Sequence, residues 1–160
     1  MYIGIITSYF DRPASDFKPA VAVVGYGYGD YVAMRKGGKL CTPNNPIDIS
    51  LFGTSFPTLE QMESASPCRM VSENTPPMFL WCTSQDELVP SEQTLIMGLA
   101  LARQGIDYEI HVFEKGKHGY SLADQSTASH DYQISESVAK WTDLVKPWLY
   151  DHIPVNDLED

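Results

Sequence analysis

Two residues with acid–base side chains, Asp86 and His118, each follow a short apolar segment of this 160-residue chain. Met78–Thr83 is an apolar and aromatic run after a Pro pair, too short for an independent helix, which indicates a buried strand. Tyr108–Phe113 indicates a second strand, and Glu114–Gly119 leaves it as the loop that carries His118. A carboxylate can hold an imidazole in one tautomer while the imidazole takes a proton from a serine. Asp86 and His118, in that order, could therefore be two members of a catalytic triad.

The segment between the two strands predicts the helix that would position them. Leu95–Ala102 is apolar nearly all round, with Ser91 as a candidate N-cap and Gly105 as a C-terminal stop. A strand–helix–strand unit of this length is a right-handed crossover between parallel strands. Both loops then leave the same carboxyl edge of one sheet, where open α/β sheets bind ligands.

Two segments of this region resemble a known family. TPPMFLWCTSQDELVP and HVFEKGKHGYSLA are similar to the C-terminal part of α/β-hydrolase-fold serine esterases of the acetyl-esterase, or dienelactone-hydrolase-like, family, which is related to prolyl-oligopeptidase catalytic domains. The resemblance covers roughly Lys18 to Leu149. In that family the Asp of a D-x-x-V-P loop and the His of a G-x-H-G loop orient and activate a serine, and these motifs fall on Asp86 and His118.

The resemblance implies a fold and a function. The expected fold is α/β, a partial α/β-hydrolase fold with a parallel sheet of about three strands flanked by helices, in a single domain over residues 1–160. The expected substrate is a small acetyl or carboxyl ester such as an acetylated sugar, and no cofactor is expected. Two alternatives stay open, a prolyl-oligopeptidase-like serine peptidase and a non-catalytic relic or interaction module.

The sequence departs from the family at the nucleophile. The serine of a G-x-S-x-G elbow should precede these elements, and the sequence contains no such motif. The glycine-rich turn Gly25–Gly29 places Gly27 where the serine should stand, and glycine cannot attack a carbonyl. We therefore expect the C-terminal part of a hydrolase, without its nucleophile-bearing part, that is inactive alone and is completed by a serine on another segment.

Other side chains are weaker candidates for the site. Glu87 neighbours Asp86 and is the alternative carboxylate. Cys82 could in principle be a nucleophile, but it lies on the wrong strand, four residues before Asp86. Within a strand, His111 is expected to be packed or paired. The other two histidines are expected to be solvated: His130 and His152.

The net charge and the cysteines limit the classes of binding partner and the compartment that fit this chain. A net charge of −10 argues against nucleic acid and anionic membranes as partners. Three cysteines, Cys41, Cys68 and Cys82, have no metal-ligand spacing and fit reduced thiols in a cytoplasmic protein, so no metal is expected.

The remaining elements are predicted from local patterns. Pro19–Tyr26 is expected to be a fully buried strand whose open edge would favour a homo-oligomer. Asp30–Ile49 is expected to be a loop, and a short helix is expected to start near Pro57. Ser135–Leu149 has apolar residues at helical spacing, with a kink or restart expected at Pro147.

Overall fold

A parallel three-stranded sheet forms the centre of the computed structural model, which describes residues 18–37 and 45–153. The strands are β1 (Ala22–Gly25), β2 (Met78–Thr83) and β3 (Tyr108–Phe113), in the order β1-β2-β3. Both pairings are parallel, with Met78 opposite Ala22 on one side and Tyr108 on the other. The predicted bounds of β2 and β3 are confirmed to the residue, and the predicted fold class is confirmed.

Six helices flank the sheet within the described residues. The structure places them as α1 (Tyr31–Gly37), α2 (Pro46–Phe52), α3 (Leu59–Ser64), α4 (Glu92–Arg103), α5 (Glu136–Ala139) and α6 (Trp141–His152). Short 3₁₀ turns occupy Pro67–Arg69 and Asp131–Gln133. In the part of the chain that the structure describes, no helix has the length and apolar character to cross a membrane.

The core consists of two apolar clusters, one on each face of β2. Successive side chains of a strand point to opposite faces, so Met78 and Leu80 pack against Met97 and Leu101 of α4. The alternate residues of β2 pack against the C-terminal helices in a second cluster: Phe79, Trp81, Val138, Val145 and Trp148. All six residues of β2 are buried, as a central parallel strand requires. This rigid central strand ends directly before the loop of Asp86.

The first strand differs from its prediction. We expected a fully buried strand over Pro19–Tyr26, and the structure forms the shorter β1, in which Val23 is 40 % exposed. The reason is position, because β1 is hydrogen-bonded on one side, to β2, and lies at an edge of the described sheet. An apolar run in the sequence does not distinguish a central strand from this edge strand.

The loop predicted over Asp30–Ile49 is wrong, because α1 and the start of α2 lie within it. Asp30 begins α1, since its Oδ1 accepts hydrogen bonds from the backbone N–H groups of Val32 and Ala33 at 2.8 and 3.2 Å. Asn45 begins α2 by accepting a hydrogen bond from the N–H of Ile47. Both helices have seven residues, too few to show a sustained helical period.

The two helices are joined by a buried polar contact. Asp48 of α2 is fully buried and bonds to the hydroxyl of Tyr31 at 2.5 Å and to the guanidinium of Arg35 at 2.5 Å. Both partners belong to α1, so this contact links the helices through charge and hydrogen bonding. A buried aspartate breaks the apolar pattern that would have indicated a helix in the sequence.

Other helix predictions are confirmed, with changes at their ends. α3 begins near Pro57 as expected, with a capping box between Thr58 and Gln61. α4 is present with Ser91 at its N-cap position, as predicted, but the side chain of Ser91 makes no capping hydrogen bond. Gly105 follows the helix with φ of +66°, the left-handed conformation expected after a helix end.

The C-terminal helix breaks at a different residue from the one predicted. We expected a kink or restart at Pro147, but α6 continues through Pro147 and the restart is at Lys140. The N–H of Asp143 bonds to the carbonyl of Lys140, and the hydroxyl of Thr142 bonds to the carbonyl of Ala139. At this break, the carbonyl of Ala139 thus accepts a hydrogen bond from a side-chain hydroxyl.

Candidate active site

Asp86 lies in the turn that follows β2, and its carboxylate is fixed by the backbone. The side chain is fully buried. Its Oδ1 accepts hydrogen bonds from the N–H groups of Leu88 and Val89, both at 2.9 Å. Because one carboxylate oxygen is held by two amides, the other has a defined direction. That second oxygen, Oδ2, faces the loop after β3.

His118 meets this carboxylate. Its Nδ1 lies 2.8 Å from Oδ2 of Asp86, and its side chain is 29 % exposed. An ionised carboxylate only accepts hydrogen bonds, so Nδ1 carries the donated proton. The predicted proximity of the two residues is confirmed, and their catalytic roles stay predictions. The alternative carboxylate, Glu87, is exposed on the same turn.

The loop of His118 is held against the end of β2. Thr83, the last residue of that strand, donates a hydrogen bond from its hydroxyl to the carbonyl of Gly116 at 2.8 Å. Gly116 has φ of +138°, and a Cβ atom there would lie 2.7 Å from Cγ2 of Thr83. Only glycine fits this close approach without strain. The loop therefore reaches the sheet edge because residue 116 has no side chain.

Tyr26 contacts the imidazole from the end of β1. Its ring meets that of His118 edge-on, with the centroids 4.8 Å apart, and also meets the ring of Trp81 at 5.0 Å. The N–H of Tyr26 bonds to the carbonyl of Trp81 at 2.7 Å, which extends the sheet pairing beyond the strand. Its φ of +45° is uncommon for a residue with a side chain, and such conformations cluster at functional sites. The sequence does not mark Tyr26 as a site residue, because it lies within a glycine-rich turn.

The glycine-rich turn does not form a nucleophile elbow. A Cβ atom at Gly27 would lie 2.5 Å from Cγ1 of Val24, so a serine there would not fit without rearrangement. The N–H groups of Gly29 and Asp30 bond to Oε1 of Gln93, at 3.2 and 2.9 Å. Gln93 is itself buried on α4. These two amides are therefore engaged within the fold.

Two other candidates from the sequence lie in the core or on the sheet. Cys82 is 1 % exposed, and burial raises the pKa of its thiol, so the reactive thiolate is disfavoured. His111 lies 2.6 Å from Glu109 through its Nε2, and its ring packs against Phe79. His111 is therefore packed and paired, as predicted.

The remaining two histidines make other contacts than the pair of Asp86 and His118. His130 is exposed and stacks on Tyr132, which agrees with solvent contact. His152 stacks on Trp148, and its Nδ1 lies 2.8 Å from the carbonyl of that residue. The expectation of a solvated His152 is thus wrong, because the preceding turn of α6 presents an aromatic ring to it.

An open hollow of about 500 Å³ adjoins the turn of Asp86. It is lined by polar and charged residues, namely Ser84, Gln85, Asp86, Glu87 and Lys117. Its size is in the range of small-molecule sites. Among the described residues, no group of three or more His, Cys, Asp or Glu side chains could hold a metal ion.

Comparison with known proteins finds hydrolases. A family model described as the prolyl oligopeptidase family matches residues 16–148. Endo-1,4-beta-xylanase B of Butyrivibrio fibrisolvens is 37% identical over 68 residues, which are 42% of this chain and 11% of that protein.

Two solved structures are similar over most of this chain. A carboxylesterase from Lactobacillus plantarum has 25% sequence identity and a TM-score of 0.66, over 82% of this chain and 44% of that one. An acetyl ester-xyloside bifunctional hydrolase from Caldicellulosiruptor lactoaceticus has 30% identity and a TM-score of 0.64, over 83% and 42%. The chain thus spans less than half the length of each of these relatives.

Proposed function

This chain belongs to the prolyl oligopeptidase family of α/β hydrolases, and we propose that it supplies the orienting carboxylate and the general base of a serine esterase. In this proposal Asp86 holds the imidazole of His118, and His118 takes the proton of an attacking serine. The same imidazole then returns the proton to the leaving alkoxide.

The observation that carries the proposal is the hydrogen bond between Nδ1 of His118 and Oδ2 of Asp86, 2.8 Å long. The pairing leaves Nε2 as the nitrogen that can accept a proton, which is what a general base requires. The carboxylate is buried and held by two amides, while the imidazole is partly exposed. A buried orienting acid beside an accessible base is the arrangement that acyl transfer needs.

The nucleophile comes from elsewhere in this proposal. The sequence has no G-x-S-x-G motif, and a Cβ atom at Gly27 would lie 2.5 Å from Cγ1 of Val24, so a serine there would require rearrangement. We therefore propose that residues 1–160 form the C-terminal part of a hydrolase domain and that a serine-bearing segment completes the site. By itself the 160-residue chain is expected to show no esterase turnover.

The proposed substrate is a small acyl ester, such as an acetylated sugar. The support is the likeness to the acetyl ester-xyloside hydrolase, at 30% identity. A net charge of −10 argues against nucleic acid and anionic membranes as partners. We also propose a cytoplasmic location. No cofactor enters the proposed reaction.

A chimera tests this function. The nucleophile-bearing segment of the Caldicellulosiruptor lactoaceticus hydrolase is joined ahead of this chain, and turnover of p-nitrophenyl acetate is measured. We expect activity that falls by about 10⁴-fold in Asp86→Asn and at least as far in His118→Ala. His111→Ala is the matched control and should retain the activity. Activity that survives His118→Ala would contradict the proposal.

The family match favours a second candidate, a serine peptidase. The family is named after a peptidase, prolyl oligopeptidase, and the match covers residues 16–148 of this chain. The same chimera distinguishes the two when it is also assayed with a prolyl p-nitroanilide. Cleavage of the anilide in preference to the acetyl ester would assign the peptidase.

A further inference from the structure

Gln133 joins the loop of His118 to a separate turn of the chain. Its Nε2 donates a hydrogen bond of 2.7 Å to the carbonyl of Gly119. Its Oε1 accepts hydrogen bonds from the N–H groups of Ser129 and His130, at 2.8 and 3.0 Å. The two backbone donors require the amide oxygen, so the NH₂ group must face Gly119. One side chain thus connects two backbone segments.

The carbonyl that Gln133 holds lies next to the histidine. Gly119 directly follows His118 and has φ of +83°, a conformation that residues with side chains rarely adopt. On the other side of the histidine, the carbonyl of Gly116 is held by Thr83. His118 is therefore placed between two anchored carbonyls, one fixed from β2 and one fixed from Gln133.

The turn that contains Gln133 has further contacts to this loop. The ring of Tyr132 meets that of Tyr120 at a centroid distance of 6.5 Å, and Nζ of Lys117 lies 5.1 Å from the centroid of the Tyr132 ring. Lys117 directly precedes His118 and Tyr120 follows it by two residues, so these contacts lie on both sides of the histidine along the loop. The turn thus packs against the loop where Gln133 bonds to it.

We propose that Gln133 is a positioning residue for the general base: it fixes the backbone after His118 so that Nδ1 stays directed at Asp86. The inference rests on the proposed function for its catalytic meaning. The neutral amide adds no charge beside the imidazole, so it acts on orientation. Loss of the bond to Gly119 lets the loop move and weakens the contact between His118 and Asp86.

The test is nuclear magnetic resonance of the ¹⁵N-labelled 160-residue protein, which measures exchange of the His118 Nδ1 proton with water. Gln133→Glu keeps an oxygen for the amides of Ser129 and His130 but removes the donor to Gly119. We expect exchange to become about tenfold faster, as the loss of one hydrogen bond implies. Gln125→Ala, at an exposed glutamine of the preceding loop, is the matched control and should leave the rate unchanged.

Each outcome is decisive. Equal exchange rates in the parent protein and in a folded Gln133→Glu variant would overturn the positioning role and leave the Asp86–His118 pair intact. Absence of a protected Nδ1 proton in the parent protein would overturn the pair itself, and with it both proposals. Gln133→Met, uncharged and of similar length, is the second variant if the carboxylate unfolds the turn, and circular dichroism verifies folding.

Discussion

The hydroxyl of Thr83 donates a hydrogen bond to the carbonyl of Gly116, and this bond couples the two loops of the site. Thr83 ends β2, three residues before Asp86, and Gly116 lies two residues before His118. This contact of 2.8 Å, together with the hydrogen bond from the hydroxyl of Ser84 to the carbonyl of Glu114, holds the carboxylate loop and the imidazole loop relative to one another. Catalytic groups must be held within small tolerances by such supporting contacts.

Gly116→Ala should destabilise the protein and disturb the site. The left-handed backbone costs a residue with a side chain about 1–3 kcal/mol, and the new Cβ would also lie 2.7 Å from Cγ2 of Thr83. We therefore expect a lower free energy of unfolding in urea and faster exchange of the His118 Nδ1 proton. Gly105→Ala is the control, because Gly105 has φ of +66° with no atom within 4 Å of the added Cβ. Equal losses of stability in the two variants would contradict a steric role for Gly116.

The sheet and the pair of residues could be predicted because their signals are local. β2 and β3 are apolar runs bounded by turn residues, and each ends just before a chemically suitable side chain. The parallel crossover between them then forces Asp86 and His118 to one edge. These local signals predict the proximity of the two residues, and in the structure Nδ1 of His118 lies 2.8 Å from Oδ2 of Asp86.

The supporting residues could not be predicted because their partners are distant in sequence. Gln133 bonds to Gly119, 14 residues away, and Gln93 bonds to Gly29, 64 residues away. Neither glutamine lies in a motif, and no spacing indicates its partner. The same holds for α1 and α2, whose buried Asp48 pairs with residues of the other helix.

Asp86→Asn should change the tautomer of His118. Oδ1 of Asp86 accepts two backbone N–H groups, so the asparagine oxygen is required there and its NH₂ group must face Nδ1 of the imidazole. Nδ1 would then accept a hydrogen bond, and the proton of the neutral ring would move to Nε2. The ¹⁵N shifts of His118 at alkaline pH measure this change. Glu87→Gln is the control, and a ring that keeps its proton on Nδ1 in Asp86→Asn would contradict the pairing.

Tyr31→Phe should change how stability depends on alkaline pH. Burial, and then the hydrogen bond with Asp48, raise the pKa of Tyr31 well above its ordinary value of 10.0. A raised folded-state pKa contributes stability that is present below the unfolded pKa and is lost as pH rises through the folded one. The free energy of unfolding of the parent protein should therefore fall above about pH 10, by at most about 1.4 kcal/mol per pH unit from this group.

The phenylalanine variant lacks this contribution. At neutral pH it should be less stable by about 1–3 kcal/mol, because the buried Asp48 loses a partner, and its decline above pH 10 should be shallower. Urea unfolding between pH 7 and pH 11 measures both effects. Tyr150→Phe, at a residue 67 % exposed, should match the parent protein. Parallel pH profiles of the parent and Tyr31→Phe would refute the assignment.

The edge that β1 forms in the described part of the sheet should make the 160-residue chain self-associate. Within the described residues β1 pairs only with β2, and Val23 on it is 40 % exposed. An apolar strand edge is a template for pairing with another chain, and a lysine on an edge strand opposes that pairing. We therefore expect concentration-dependent oligomers in light scattering, with a shift toward monomer in Val23→Lys. Leu95→Lys adds the same charge at a side chain of α4 that is 51 % exposed and should leave the association unchanged. If both lysine variants shift the association equally, net charge is the cause and the strand edge is not.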